Sequence, residues 1–125
     1  MRQPVIKQFE GTDWPMKAAG LISDTINSVL AEQGKCSVML TGGRSAARLY
    51  KAWRDLPAFK QTTGVSFYFG DERCVPPDHA ESNYGMAMQT LFSKCVPIEC
   101  SVFRMEADAI DLEAAAQSYA DLLPE

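Results

Sequence analysis

The sequence has a single histidine, His79, and its four cysteines form no Cys-x-x-Cys pair. A zinc site needs a compact set of cysteine and histidine ligands, and this chain offers none at the usual spacing. The sequence therefore predicts no metal site. Its cysteines are expected to be buried and reduced, as thiols are in a cytosolic protein; they are Cys36, Cys74, Cys95 and Cys100.

The sequence also lacks any stretch near the ~20 consecutive apolar residues that cross a bilayer. Its first residues, MRQPVIKQFEGTDW, have no apolar core of signal-peptide length. These absences predict a cytoplasmic protein that does not enter a membrane. The net charge of −4 and the isoelectric point near 5.0 argue against nucleic-acid binding, since that function requires a concentrated basic surface.

What the sequence has is a regular alternation of short apolar runs and helical periodicity. This alternation predicts an α/β fold with a Rossmann-like three-layer arrangement, in which helices cover a mostly parallel sheet. The second strand is mostly apolar, as expected for a strand buried on both faces. The predicted strands are residues 4–10, 36–41, 64–70 and 101–104. The predicted helices start after Asp13, after Gly43, at Ser82 (ending near Lys94) and near Asp111.

The first candidate site is Thr41-Gly42-Gly43-Arg44-Ser45, where a predicted strand passes through glycines into a helix. Glycine lets backbone N–H groups approach an anion, and a helix N-terminus adds partial positive charge. The hydroxyl groups and the guanidinium could bind a phosphate monoester. The alternative is that the glycines only make a tight turn.

The second candidate site is Asp71-Glu72-Arg73, at the end of the next predicted strand. A carboxylate beside an arginine can orient a polyhydroxylated substrate or stabilise charge on a carbonyl oxygen. The alternative is a solvated turn. His79, the only imidazole, is a candidate general base, but its Pro-Pro-Asp-His loop holds no nearby nucleophile, and a surface role is expected.

Together these segments resemble 6-phosphogluconolactonase, within the wider group that includes glucosamine-6-phosphate deaminases. The resemblance covers nearly the whole chain and is most specific around the second candidate site. The segments that carry it are Leu40-Thr41-Gly42-Gly43-Arg44-Ser45, Phe69-Gly70-Asp71-Glu72-Arg73-Cys74-Val75-Pro76-Pro77-Asp78 and Glu81-Ser82-Asn83-Tyr84-Gly85-Met86.

This resemblance implies hydrolysis of 6-phosphogluconolactone to 6-phosphogluconate in the oxidative pentose phosphate pathway, without a metal or another cofactor. It implies that the glycine segment binds phosphate and substrate, that Asp71 and Arg73 face the lactone, and that Asn83 belongs to the same wall. The deaminase branch is a rival, although its motif usually reads Asp-Glu-Tyr. Arg73 and the Val-Pro-Pro run favour the lactonase.

Members of the family run for about as much chain again, so residues 1–125 are expected to be the N-terminal half of one α/β domain, incomplete relative to the family. The other half carries a Gly-Asp-Gly-His-type segment whose histidine activates water, and His79 does not match it. A second rival is therefore a non-catalytic, truncated product that binds sugar phosphate weakly or has only a structural role. Expected partners are a complementary C-terminal half, or a second copy bound through exposed apolar surface.

Overall fold

The computed structural model of the chain describes residues 3–124. Within that range five helices pack around a three-stranded parallel sheet with the strand order β1-β2-β3. The predicted α/β class is confirmed. In chain order the elements are α1 (Trp14–Gln33), β1 (Cys36–Leu40), α2 (Arg44–Asp55), α3 (Pro57–Lys60), β2 (Val65–Phe69), α4 (Asn83–Gln89), β3 (Ser101–Val102) and α5 (Leu112–Leu122).

The two faces of β2 are covered by different helices, which produces the three layers. Alternate residues of a strand point to opposite faces. Phe67 points into an aromatic core, with ring centroids 6.1 Å from Trp53 of α2 and 5.1 Å from Phe92. Tyr68 points the other way, where its ring lies 6.4 Å from that of Tyr119 in α5.

The ends of α1 follow the sequence signals. Pro15 lies in its first turn, where the absent N–H group costs nothing. Gly34 ends the helix with φ +75°, and its N–H group donates to the Leu30 carbonyl at 2.8 Å. Because a left-handed conformation is easiest for glycine, this residue ends the helix.

The helix predicted after Gly43 is present as α2, and it is amphipathic. Ala46, Tyr50 and Trp53 are buried, whereas Arg48 and Lys51 are exposed. The buried face of α2 packs against α1 and the core beneath β2. This packing sets the position of the start of α2, which is part of the first candidate site.

The predicted strand at residues 4–10 is wrong, since this segment has no secondary structure. Val5 is 82% exposed and Ile6 is 77% exposed. An apolar, β-prone run forms a strand only where a neighbouring strand supplies its hydrogen bonds. Within residues 3–124 the sheet gives this segment no such neighbour.

The expectation that β1 is buried on both faces is also wrong. β1 is an edge strand with alternating burial, in which Leu40 is buried and Met39 is 60% exposed. The cysteines depart from expectation as well: all four are free thiols, but none is fully buried, since Cys36 and Cys100 are half-buried and Cys74 and Cys95 are exposed. The two exposed cysteines occupy segments without regular structure after a strand or helix.

Two predicted elements are shorter than expected. α4 ends at Gln89 instead of Lys94, because a wide turn with Phe92 N–H donating to the Ala87 carbonyl brings Phe92 into the core. β3 covers only Ser101–Val102, because the Tyr119 hydroxyl lies between Phe69 N–H and the Phe103 carbonyl, where the next hydrogen bond between the two strands would form. That hydroxyl accepts from Phe69 N–H at 2.7 Å and donates to the Phe103 carbonyl at 2.8 Å.

Candidate functional site

The two candidate segments leave the sheet side by side. β1 and β2 run parallel with Leu40 paired to Phe69, and the N–H group of Gly70 donates to the Leu40 carbonyl at 2.9 Å. Thr41 and Asp71 therefore begin their loops at the same carboxyl edge. This is the edge where ligands bind in open parallel sheets, because loops and helix N-termini converge there.

The N-terminus of α2 is open at this edge. Gly43 precedes the helix with φ +100° and its carbonyl accepts from Ala47 N–H at 3.0 Å. Within residues 3–124 no side chain caps α2, whereas Ser82 caps α4 and Asp111 caps α5. The first N–H groups of α2 are thus left for solvent or for an anion.

The end of β1 is held by Tyr50, which lies two turns into α2. Thr41 N–H donates to the Tyr50 hydroxyl at 2.9 Å, and this hydroxyl donates back to the Thr41 carbonyl at 2.9 Å. Burial raises the pKa of Tyr50, although the backbone hydrogen bond of Thr41 opposes that shift. The hydroxyl therefore stays protonated and fixes the peptide from which the glycine segment starts.

Asn83, the first residue of α4, joins the two loops. Its side-chain N–H₂ donates to the Asp71 carboxylate at 3.2 Å and to the Asp71 carbonyl at 3.3 Å. Its side-chain oxygen lies against Gly42, where a Cβ atom would come within 2.0 Å of it. The side chain is buried. Gly42, Asn83 and Asp71 therefore form one continuous wall.

Glu72 turns inward between its two exposed neighbours. Its carboxylate accepts hydrogen bonds from the backbone N–H groups of Arg73, Asn83 and Tyr84 and from the Ser82 hydroxyl, at 2.6–3.0 Å. Burial opposes its ionisation, but the hydrogen bonds outweigh burial and hold the pKa of Glu72 below its ordinary value. The carboxylate is therefore ionised and occupies the N-terminus of α4.

A cavity of about 280 Å³ opens between the start of α2 and the start of α4. Arg44 and Arg73 bring two guanidinium groups to it, and Gly43 brings backbone without side-chain bulk. The remaining lining residues are Ala47, Ala80, Glu81, Ser82, Asn83 and Met86. Two cations beside a helix N-terminus without a side-chain cap are suited to an anionic ligand.

The structure places the predicted residues in three groups. Gly43, Arg44, Arg73 and Asn83 line the cavity. Asp71 adjoins it through its hydrogen bonds with Asn83, and Gly42 packs behind the Asn83 side chain. Thr41 and Ser45 are exposed beside the cavity and are not among its lining residues.

Two further residues were not identified as part of the site from the sequence. In the sequence, Glu72 stands out only as a member of its charged motif, and Ser82 only as an N-cap signal. The N-cap signal at Ser82 marks the start of α4, but nothing in the sequence indicates that a glutamate ten residues earlier shares that cap. Their contact depends on how the loop folds back onto the helix.

His79 lies outside this cavity. Its Nδ1 accepts a hydrogen bond from Glu81 N–H at 3.0 Å, and its carbonyl accepts from Ser82 N–H at 3.0 Å. The side chain is exposed. The imidazole therefore stabilises the turn before α4 and does not line the cavity between Arg44 and Arg73.

A second cavity, of about 240 Å³, lies between the loop at Cys74 and α5. Its lining is mostly apolar, with Met105, Leu112 and Tyr119 among the contributors. Its lining includes one charged residue, Glu106, and no cation. An anionic, polyhydroxylated ligand therefore fits the cavity between Arg44 and Arg73 better than this one.

The fold and the site define a parallel α/β protein with a cavity lined by Arg44 and Arg73 at the carboxyl edge of its sheet. The chain belongs to the family described as glucosamine-6-phosphate isomerases/6-phosphogluconolactonase, which matches residues 11–125. The predicted family is confirmed.

Individual relatives agree with this assignment. A protein of Oryza sativa subsp. indica, named Probable 6-phosphogluconolactonase 3, chloroplastic, is 40% identical over 95 residues, which are 72% of this chain and 28% of that protein. The 6-phosphogluconolactonase of Rattus norvegicus is 37% identical over 109 residues, which are 82% of this chain and 41% of the rat protein. The chain thus spans less than half the length of these curated relatives.

A solved structure extends the match over almost the whole fold. The crystal structure of 6-phosphogluconolactonase from Leishmania guyanensis superposes with a TM-score of 0.71 at 26% sequence identity. The superposition covers 98% of this chain and 53% of that protein.

Among the helices of residues 3–124, none has both the length and the apolar character needed to cross a bilayer.

Proposed function

We propose that this chain is the sugar-phosphate-binding N-terminal half of a 6-phosphogluconolactonase domain, the enzyme that hydrolyses 6-phospho-D-glucono-1,5-lactone to 6-phosphogluconate. The names of the rice, rat and Leishmania relatives support this reaction for the complete protein. The proposal includes a reducing compartment such as the cytoplasm, because all four cysteines are free thiols.

One observation carries the proposal: within residues 3–124 no side chain caps the N-terminus of α2, and this N-terminus opens into the cavity lined by Arg44 and Arg73. A phosphate monoester carries close to two negative charges and several acceptor oxygens at neutral pH. Backbone N–H groups, the helix dipole and the Arg44 guanidinium offer complementary donors and charge, and Arg73 is assigned to the lactone instead. We therefore assign the phosphate of the substrate to the start of α2.

The sugar lactone is assigned to the wall formed by Asp71 and Asn83. Asp71 accepts one hydrogen bond from Asn83, and a carboxylate has further lone pairs for the hydroxyl groups of a sugar. Arg73 lies on the same side and can stabilise negative charge that develops on the lactone carbonyl oxygen when water attacks. These roles of Asp71 and Arg73 depend on the proposed orientation, in which the phosphate lies at the start of α2 and the lactone at the wall.

The described part of the site contains no imidazole to activate that water, because His79 is the only histidine of the chain and lies outside the cavity. An ordinary carboxylate is a weak base near neutral pH. A positioned base typically contributes about 10²–10⁴-fold to the rate. We therefore propose that this chain binds the product 6-phosphogluconate but hydrolyses the lactone within about tenfold of the spontaneous rate.

The unpaired edge of the sheet at β1 also supports the proposal that the chain is half of a larger domain. β1 is an edge strand within residues 3–124, and Met39 beside that edge is 60% exposed. An unpaired edge and an uncovered apolar face are unusual unless another segment covers them. We propose that the C-terminal half of the domain packs there. A second copy of the chain is the competing occupant, which sedimentation equilibrium of the purified chain would detect.

The experiment that tests the proposed function is a calorimetric titration with 6-phosphogluconate, compared with gluconate. Gluconate lacks the phosphate, so it should bind at least about tenfold more weakly. The Arg44→Gln and Arg73→Gln variants should weaken binding of 6-phosphogluconate by about tenfold or more each. Lys51→Gln is the matched control, because Lys51 is an exposed cation on the same helix.

Three results would overturn parts of this proposal. Equal affinity for gluconate and 6-phosphogluconate would remove the phosphate assignment. Tighter binding of glucosamine 6-phosphate than of 6-phosphogluconate would favour the deaminase branch. Fast lactone hydrolysis, followed with 6-phosphogluconate dehydrogenase and corrected for the spontaneous rate, would contradict the missing base.

A further inference from the structure

We infer that Glu72 is a positioning residue of the proposed site: its carboxylate fastens the loop of Asp71 and Arg73 to the start of α4 and so holds the sugar-binding wall together. The inference depends on the proposed function for the identity of the ligand. Glu72 touches neither the cavity nor the proposed substrate, and it acts only through Asp71, Arg73 and Asn83.

The contacts of Glu72 use both carboxylate oxygens. Oε1 accepts from Arg73 N–H at 2.8 Å and from Asn83 N–H at 2.6 Å. Oε2 accepts from Tyr84 N–H at 2.9 Å and from the Ser82 hydroxyl at 3.0 Å. Four donors from two separate segments thus converge on one ionised group, and charge-assisted hydrogen bonds are stronger than neutral ones.

The first consequence concerns the geometry of the wall. Oε1 binds the backbone of Arg73 and the backbone of Asn83 at once, so it fixes the distance between the loop and the helix. The Asn83 side chain then reaches the Asp71 carboxylate at 3.2 Å. If the hydrogen bonds of Glu72 were lost, the positions of Asp71 and Asn83 relative to each other would no longer be fixed. The segment before α2 would keep its own hydrogen bonds between Thr41 and Tyr50.

The second consequence concerns where the phosphate binds. Glu72 and the Ser82 hydroxyl take the N–H groups of Asn83, Tyr84 and Gly85, so the start of α4 has no free donors from these residues. In the part of the chain that the structure describes, no side chain caps the start of α2. An internal carboxylate thus occupies one helix N-terminus and leaves the other for the ligand, which gives the sugar phosphate one orientation in the cavity.

A purely structural helix cap would have a different signature. Loss of a cap lowers stability and weakens every ligand that binds the folded chain to a similar extent. Loss of a positioning residue weakens only the ligand that uses the wall. The comparison of 6-phosphogluconate, which contacts both the start of α2 and the wall, with inorganic phosphate, which contacts only the start of α2, separates these roles.

The test uses Glu72→Gln, which keeps the shape of the side chain but replaces one acceptor oxygen by a donor. We expect the Kd for 6-phosphogluconate to rise about tenfold while the Kd for inorganic phosphate changes less than about twofold. In the unliganded chain, the nuclear magnetic resonance signals of the Asn83 side-chain amide should shift and exchange faster with solvent. Glu32→Gln is the matched control, since Glu32 is an exposed glutamate on α1.

Should Glu72→Gln fail to fold, Ser82→Ala removes one of the four donors and should produce the same pattern with a smaller change. Equal weakening of both ligands, or an unchanged Asn83 signal, overturns the positioning role. If the unmodified chain binds neither ligand, the proposed function fails, and the Asn83 signal in the unliganded variant still decides whether Glu72 holds the wall.

Discussion

The side-chain oxygen of Asn83 lies so close to Gly42 that a Cβ atom at residue 42 would come within 2.0 Å of it. This contact joins the glycine segment after β1 to the start of α4. A buried amide and a backbone without a side chain therefore meet at the centre of the proposed binding wall.

Gly42→Ala should weaken binding of 6-phosphogluconate by about tenfold or more, because the new methyl group displaces the Asn83 side chain from its hydrogen bonds with Asp71. Calorimetric titration measures this change. Gly20→Ala is the control, since a Cβ there meets nothing within 4 Å and helix propensity should slightly stabilise the fold. Unchanged affinity in Gly42→Ala would mean that the ligand does not use this wall.

Tyr50→Phe should lower the free energy of unfolding by about 1–3 kcal/mol, because the Thr41 peptide loses both partners in a partly buried environment. Urea denaturation measures the change. Tyr84→Phe is a suitable comparison, since within residues 3–124 the Tyr84 hydroxyl forms no hydrogen bond. If both variants lose the same stability, the Tyr50 hydroxyl does not fix the end of β1.

Glu72 should make stability depend on pH in the acid range. The pKa of Glu72 in the folded chain lies below its ordinary value of 4.5, so its stabilising contribution is complete above that value and is lost as the pH falls through the folded pKa. The difference in unfolding free energy between the unmodified chain and Glu72→Gln should therefore be larger at pH 6 than at pH 3.

The comparison with Glu72→Gln also removes the effect of other acidic groups. Hydrogen bonds from Arg54 and Arg104 lower the pKa values of Asp55 and Asp108, so these groups change stability in the same direction. Both proteins contain them, and their contribution cancels in the difference. A difference that does not change with pH would contradict the ionised, hydrogen-bonded state of Glu72.

The sequence predicted those parts of the fold that depend on local signals. Pro15 and Gly34 mark the ends of α1 because the absent N–H group and the left-handed conformation are properties of single residues. The position of β2 follows from its local run of apolar residues for a similar reason. The sequence does not predict the lack of regular structure at residues 4–10 or the exposed side of β1, because both depend on whether a neighbouring strand or helix covers them.

The candidate site was predictable to a similar extent. Its two loops follow adjacent parallel strands, so their proximity follows from the topology. The close contact of Asn83 with Gly42 and the inward turn of Glu72 require the three-dimensional path of residues 71–83. No spacing rule relates a glutamate to a helix start ten residues later, and Glu72 could be placed only from the structure.

The most direct test of the central claim is the mapping of backbone amide shifts during titration of the ¹⁵N-labelled chain with 6-phosphogluconate. We predict saturable shifts at Arg44, Ser45 and Ala46, at the start of α2, together with Arg73, and competition by inorganic phosphate at the α2 amides. Shifts confined to the start of α4 or to the apolar cavity beside Leu112, or no shifts at all, would contradict the assignment of the phosphate to α2.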